Sequence, residues 1–411
     1  MAKARAQVVI NKLEYHDLDW DVHSRDVANL TRNMSERFER PLNWQIVDMR
    51  RDVRELHDAP VLFVTGSKPL TFDAEDVAKF RRYILEGGTL LGQAACHSKA
   101  FVESFRKLAA AALPEYEMRP LAPEHPVFSA HARLRAPTLM GVDNGVRTCV
   151  FLMPKDVSFY WHRRMADTHK TDFQLGSNLV IYAMDRAGFR SKSSVPPVKQ
   201  VEPSRRITAA LVRHPAGWNA NPILLERLSE MSAQKARIGL EVRTPVELGR
   251  GDLSAVRLLW LSGYRKLDLP APQQAALKAF VTGGGTLVID AAGGNEDFYA
   301  SAVTMLEKLL PDATAKAATA LDPVVSGKLP VAGFDVSRPE YRRALRIEGF
   351  RGRAPQLRLY RLGDRTAVIV SPHDIASGIQ GQNPWACRGY AIESARQIGV
   401  NCVLLAAGKS P

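Results

Sequence analysis

Near-continuous apolar runs alternate with segments of helical period along the first half of the chain. Such runs are typical of strands that are buried on both faces of a parallel sheet. We predict strands at QVVINKLEY (7–15), NWQIVDM (43–49), PVLFVTG (60–66), TLLGQAA (89–95) and TCVFLMP (148–154).

Helices are predicted between these strands. A first helix extends from about Asp26 to Phe38, and Asp73 is a suitable N-cap for a second one, AEDVAKFRRYIL, which ends at Gly87 or Gly88. Two more are predicted at FVESFRKLAAAAL (101–113) and GSNLVIYAMDR (176–186). The alternation predicts an α/β fold with a doubly wound, mostly parallel sheet and ligands near the carboxyl ends of the strands.

The second half of the chain repeats the first. The segment VLFVTGSKPL from Val61 aligns without a gap with LLWLSGYRKL from Leu258, and RTCVFLMPKD matches RTAVIVSPHD. We therefore predict two tandem domains, 1–190 and 206–411, that pack as an intramolecular pseudo-dimer. The Ser- and Pro-rich segment 191–205 is the predicted linker.

The order of LFVTG, FRRYILEGGTLLG, FRKLAAAALPEYEMRPLAPEHPVF and RTCVFLMPKD resembles the bacterial domain of unknown function 4159 family. The resemblance covers residues 7–186, with a looser copy at 206–407. It implies an amidotransferase-like, flavodoxin-like fold, similar in outline to trehalose-utilisation-type domains. It implies no particular reaction, because the family is defined by its fold. Its members are often exported or surface-associated.

Composition narrows the possible partners. The net charge of +13 is spread over both halves, and no basic run is interleaved with aromatic residues, which disfavours a nucleic-acid partner. No apolar stretch is long enough to span a membrane. Four widely separated cysteines do not form a disulfide framework or a zinc ribbon. The chain as written is expected to be cytoplasmic, or periplasmic or exported if a leader has been removed.

The stretch GQAACHSKAF (92–101) places Cys96 and His97 at the end of a predicted strand, where many α/β hydrolases hold a nucleophile. Its counterpart IDAAGGNEDF (289–298) has neither a thiol nor an imidazole. The flanking glycines of an amidotransferase elbow are missing, and neither repeat supplies a complete set of nucleophile, histidine base and carboxylate. Cys96 and His97 are candidate catalytic residues for one site in the first domain.

The loop after the third predicted strand is a candidate anion site. Thr65, Gly66 and Ser67 offer backbone amides, and Lys68 adds a positive charge, which together suit a carboxylate or phosphate. A plain turn with a solvated lysine is the alternative.

Three further residues are candidate ligand contacts. His125 lies in a turn before a strand, where a structural cap is the alternative, since its partner in the second repeat is Asp322. Trp161 and Arg163 lie in the aromatic- and arginine-rich loop 154–164, which suits contact with carbohydrate, peptide or protein. Packing against the neighbouring repeat is the alternative for this loop.

An arginine and an aspartate recur together in the two repeats. Arg147 and Asp156 match Arg365 and Asp374. We predict that each pair fixes the turn at the end of its strand.

The sequence favours a non-catalytic binding or scaffold protein that holds a protein partner or a small polar or anionic ligand on its strand-end loops. One alternative is a hydrolase or amidotransferase-like enzyme centred on Cys96 and His97. Another is a sugar-related activity by analogy with trehalose-utilisation-type domains.

A metal site would draw on Cys96, His97 and His125, with His162 or His169 as a further ligand. Cys96 and His97 could both ligate only if the chain turns there, because adjacent residues of an extended chain point to opposite faces. We expect neither a metal nor a cofactor.

Overall fold

The computed structural model describes residues 7–15, 18–185 and 201–408. The chain forms two compact units. The first comprises Met1–Pro196 with Asn383–Trp385, and the second comprises Pro197–Gln382 with Ala386–Pro411. We call them the first and second domain. Most of the predicted linker, 191–200, lies outside the described residues.

The first domain is built on a seven-stranded sheet in the order β2-β1-β3-β4-β7-β6-β5. Its strands are β1 (Gln7–Glu14), β2 (Leu42–Asp48), β3 (Val61–Gly66), β4 (Thr89–Ala94), β5 (Met118–Pro120), β6 (Met140–Asp143) and β7 (Thr148–Met153). Its helices are α1 (Asp26–Phe38), α2 (Val53–Leu56), α3 (Ala74–Leu85), α4 (Lys99–Ala112), α5 (Ser158–His162) and α6 (Lys170–Ala183). Strands β2, β1, β3, β4 and β7 are parallel, and β6 and β5 are antiparallel.

The second domain repeats this design with the order β10-β8-β11-β12-β15-β14-β13, and β9 also pairs with β8. Its strands are β8 (Arg205–Arg213), β9 (Ile238–Val242), β10 (Val246–Glu247), β11 (Val256–Gly263), β12 (Thr286–Ala291), β13 (Thr314–Ala317), β14 (Arg358–Leu362) and β15 (Arg365–Ser371). Its helices are α7 (Leu224–Ala236), α8 (Ala271–Thr282), α9 (Glu296–Leu309), α10 (Pro323–Ser326), α11 (Arg343–Ile347), α12 (Ala376–Ile379) and α13 (Ile392–Ala407). The predicted mostly parallel α/β fold is confirmed in both domains.

Local sequence explains where several elements begin and end. Asp73 caps α3 by accepting a hydrogen bond from the Asp76 amide, as predicted. Gly87, just beyond the helix, takes a φ of 105° that favours glycine. Within the described ranges, no helix has both the length and the apolar character needed to cross a bilayer.

The central strands place the candidate site. Every residue of β3 and β4 is buried, in keeping with the apolar runs of the sequence. Because β1, β3, β4 and β7 are parallel, their carboxyl ends lie at one edge of the sheet. The loops that follow these four strands therefore approach one another at this edge.

Candidate functional site

A sharp turn joins β4 to α4, and we call its central residues, Cys96 and His97, the Cys–His turn. Their φ angles of 53° and 55° are left-handed, a region that residues other than glycine rarely adopt. Each such residue costs about 1–2 kcal/mol. Both side chains are exposed, whereas Ala95 is buried. Strain of this kind is concentrated at functional sites in proteins.

The second domain builds the same turn from two glycines. Gly293 and Gly294 have φ angles of 68° and 76° between β12 and α9. Glycine adopts this conformation at no steric cost. The first domain therefore carries two strained side chains where the fold itself needs none.

Asp156, in the loop after β7, holds the Cys–His turn. Its Oδ2 accepts a hydrogen bond from the Cys96 amide at 2.7 Å and lies 2.9 Å from Nε2 of His23. Its own amide donates to Nδ1 of His97 at 3.2 Å. Burial opposes ionisation, but the hydrogen bonds from His23 and the Cys96 amide together hold the pKa of Asp156 below its usual range. An ionised carboxylate thus lies against the turn.

The predicted pairing of Arg147 with Asp156 is wrong. The guanidinium of Arg147 donates instead to the carbonyls of Ile84 and Gly88, at 2.6 and 2.9 Å, and so secures the end of α3. Arg365 makes the same kind of contact near the end of α8. The arginine and the aspartate recur because each has a separate structural partner.

A buried ion pair lies behind the site. Lys12 of β1 is fully buried, and its Nζ is 2.9 Å from Oδ1 of Asp26 and 2.9 Å from the carbonyl oxygen of His23. Asp21 contributes a third contact at 3.3 Å. Burial raises the pKa of Asp26 to about 6, although Lys12 acts in the opposite direction.

This ion pair is specific to the first domain. Lys12 pairs in register with Phe63, and Leu211 pairs with the equivalent Trp260, so Leu211 occupies the position of Lys12. Leu224 begins α7 as Asp26 begins α1. The second domain therefore packs two leucines where the first has buried charges.

The rim of the site is formed by imidazoles and one aromatic ring. The His23 ring lies 5.6 Å from that of His162 and 5.8 Å from that of Phe159, which is 42 % exposed. Nδ1 of His162 accepts a hydrogen bond from the Arg25 amide at 3.2 Å. Burial, and then the nearby His23 and Arg163, lower the pKa of His162. The site thus presents polar and apolar groups side by side.

A family model described as a domain of unknown function, DUF4159, matches residues 9–184 and again residues 208–406. The chain belongs to the DUF4159 family. The two matches confirm the tandem duplication that the internal repeat predicts.

Other comparisons define no function for this DUF4159 protein. No curated protein matches the chain. A Silicibacter pomeroyi protein provisionally described as a phosphosugar isomerase is 11 % identical with a TM-score of 0.16, over 75 % of this chain and 86 % of that one. A Salmonella typhimurium protein provisionally described as sugar binding is 10 % identical with a TM-score of 0.16, over 74 % and 87 %. Likenesses this weak support no inference.

The predicted anion loop of the first DUF4159 domain is occupied by a carboxylate of the chain itself. Oδ2 of Asp19 accepts hydrogen bonds from the amides of Ser67 and Lys68 at 2.7 and 2.8 Å, and Oδ1 accepts one from the Ser67 hydroxyl. Thr65 and Gly66 are buried at the end of β3. An external anion at this loop would have to displace Asp19.

His125 and Trp161 have structural partners in the same domain. Nε2 of His125 is 2.9 Å from Oγ1 of Thr148, and Nδ1 accepts from the Val127 amide at 3.2 Å. Trp161 is fully buried, and its indole N–H donates to the carbonyl of Asp172. The structure therefore places Trp161 in the core and not on a contact surface, while Arg163 on the same loop is exposed.

Of the predicted site residues, the structure brings together Cys96 and His97. The groups that support them, His23 and Asp156, are distant in sequence, and His23 was not predicted. Within the described residues, no group of three or more His, Cys, Asp or Glu side chains could hold a metal ion. A lysine inside an apolar strand, opposite a leucine in the repeat, is the signal that could have located the polar cluster.

The second DUF4159 domain buries a neutral acid at the equivalent edge. Asp290, which aligns with Gln93, is fully buried, and its carboxyl accepts hydrogen bonds from the Ile375 amide at 2.7 Å and the Ser262 hydroxyl at 3.1 Å. Burial, and then the neighbouring Asp374, raise the pKa of Asp290 to about 8. The folded domain therefore keeps a proton at pH 7 that the unfolded chain loses.

Asp290→Asn is expected to remove a pH dependence from the stability of the second domain. The proton on Asp290 stabilises the fold fully below the unfolded pKa of about 4, and this contribution is lost as the pH rises towards 8, by up to about 1.4 kcal/mol per unit. The stability of the variant relative to the native protein should therefore rise from pH 5 to pH 8 in urea denaturation. The exposed Asp252→Asn is the control, and a difference that does not change with pH contradicts the assignment.

Proposed function

We propose that the first domain is a binding domain whose partner contacts the Cys–His turn. One observation carries the proposal: two consecutive, exposed, left-handed residues stand where the second domain has Gly293 and Gly294. Backbone strain at exposed residues is retained where a site engages something outside the chain.

The surroundings of Cys96 support binding over nucleophilic catalysis. A nucleophilic thiol needs an adjacent base, and its oxyanion needs uncommitted N–H donors. The Cys96 amide donates to the carboxylate of Asp156, and Nδ1 of His97 accepts a hydrogen bond from the Asp156 amide. The negative charge of Asp156 would also repel an oxyanion that formed beside it.

The exposed groups favour a polar partner. His97 and Arg163 present donors to solvent, and Phe159 adds a partly exposed apolar face. The chain as a whole carries a net charge of +13, which favours acidic over basic partners.

The proposal is tested by measuring the Tm of the protein with a panel of compounds, before and after chemical modification of Cys96. Cys149, Cys387 and Cys402 are buried, so N-ethylmaleimide under native conditions is expected to modify Cys96 alone. The panel contains phosphate, citrate, glucose, trehalose, and pools of acidic, basic and apolar peptides. The two sugars test the sugar-related alternative.

At least one class of compound is expected to raise the Tm of the unmodified protein and to lose this effect after modification. The Cys96→Gly variant, treated in the same way, controls for effects of the reagent elsewhere. The proposal fails if no class shifts the Tm, or if every shift survives modification of Cys96.

A further inference from the structure

The turn of the second domain is covered by a segment of its own chain. The amide of Arg388 donates to the carbonyl of Gly293 at 3.1 Å, and the carbonyl of Arg388 accepts from the Asp374 amide at 3.0 Å. Gly294 is buried beneath it, and a Cβ at Gly294 would collide with the Arg388 carbonyl. The two glycines of this turn thus form the floor of a site for an extended chain.

The covering segment is held mainly through its backbone. Gly389 and Asp374 form a parallel β-bridge, and the Tyr390 amide donates to the Asp374 carbonyl at 3.1 Å. A Cβ on Gly389 would lie 2.8 Å from the carbonyl oxygen of Asp374, so a glycine is needed at this point. Main-chain pairing of this kind is how sheet edges receive extended peptides.

The first domain has the same backbone groups, at the exposed Cys96 and at the buried Asp156, next to the exposed side chain of His97. Asp156 aligns with Asp374, and Nδ1 of His97 takes the hydrogen bond that the Arg388 carbonyl takes in the second domain. Because the His97 side chain is exposed, it can rotate away and release the Asp156 amide to an incoming carbonyl. The His97 imidazole therefore accepts, in the first domain, the hydrogen bond that a peptide carbonyl accepts in the second.

The charge beside the turn is reversed between the domains. In the second domain, Arg388 forms ion pairs with Glu296 and with Glu348, the latter at 2.9 Å. The gap-free alignment places Lys99, an exposed residue at the start of α4, at the position of Glu296. An acidic side chain at the position equivalent to Arg388 would therefore favour the binding of a segment to the first domain.

We infer that the Cys–His turn docks an extended peptide segment of another polypeptide, with an acidic residue followed by glycine. The inference rests on the proposed binding function and names its partner class. The peptide backbone would donate to the Cys96 carbonyl and accept from the Asp156 amide, and its acidic side chain would pair with Lys99.

Two fluorescent peptides test the inference on the full-length chain. Both correspond to residues 386–392 with serine in place of Cys387, and one also carries Arg388→Glu. In fluorescence anisotropy, the peptide with glutamate is expected to bind at least about tenfold more tightly than the peptide with arginine. Lys99→Glu, checked for an unchanged circular dichroism spectrum, should reverse that order.

A second variant tests the role assigned to the imidazole. His97→Ala removes the group that must vacate the Asp156 amide, so it should tighten binding of the glutamate peptide several-fold. Equal binding of the two peptides, or a preference that Lys99→Glu leaves unchanged, would overturn the inference. If a sugar or phosphate binds in a Cys96-dependent way and neither peptide does, the proposed function stands and this inference fails.

Discussion

Lys12→Leu is expected to lower the free energy of unfolding of the first domain by about 3–5 kcal/mol. The substitution leaves the carboxyl of Asp26 fully buried without its ammonium partner at 2.9 Å. Removing one member of a buried pair costs far more than the pair itself contributes, because the remaining charge has lost both water and its partner. Asp26→Leu should be destabilising for the same reason.

The double variant Lys12→Leu/Asp26→Leu should recover most of that loss and lie within about 1 kcal/mol of the native protein. The second domain already has this arrangement, since Leu211 and Leu224 occupy the two positions and are buried. Hydrogen exchange of β1 peptides in increasing urea measures the first domain, and β8 peptides serve as an internal control.

A matched substitution separates burial from charge. Asp21 also contacts Lys12, but its side chain is 38 % exposed, so Asp21→Asn should cost less than about 1 kcal/mol. If the double variant were as unstable as Lys12→Leu alone, the ion pair would be required for the fold. The Lys12–Asp26 ion pair would then be a requirement of the fold and not a feature specific to the candidate site.

Gly294→Ala is expected to destabilise the second domain by about 2–5 kcal/mol. The substitution forces a left-handed φ of 76° on a residue with a Cβ and drives that Cβ into the Arg388 carbonyl.

Cys96→Gly is expected to have the opposite effect and to raise the free energy of unfolding of the first domain by up to about 1 kcal/mol. The substitution relieves the left-handed strain at Cys96. The greater conformational freedom of glycine in the unfolded chain offsets part of this gain in stability.

An ordinary helical position provides the control for the glycine substitution. Ala275→Gly, at an exposed interior position of α8, should cost about 1 kcal/mol because glycine is a poor helix former. Domain-resolved hydrogen exchange in urea measures all three variants. A loss of stability in Cys96→Gly as large as that in Ala275→Gly would show that the Cys–His turn is not strained.

The central fold was predictable because burial there is strong and periodic. The predicted helix from Asp26 to Phe38 matches α1, and the apolar runs at β3 and β4 correspond to strands that are buried throughout. The antiparallel edge strands β5 and β13 were not predicted. All four residues of β13 are exposed, so their side chains carry no apolar pattern.

The candidate site was only partly predictable. The repeat isolated Cys96 and His97, because the second copy has glycines at both positions. It could not show that Asp156 and His23 meet at the turn, since both contacts depend on how distant loops fold together. Trp161 was misplaced because α5 turns its contiguous aromatic residues in different directions, with Trp161 in the core and Phe159 outside.

The most direct test of the account is the rate at which Cys96 is alkylated by iodoacetamide in the native protein between about pH 6 and 9. An open turn predicts that Cys96 alone reacts in the native protein, because the other three cysteines are buried. A rate already at its maximum near pH 6 would reveal a thiolate activated for catalysis. Reaction only after unfolding would show that the turn is closed, and either result would contradict a binding role for the Cys–His turn.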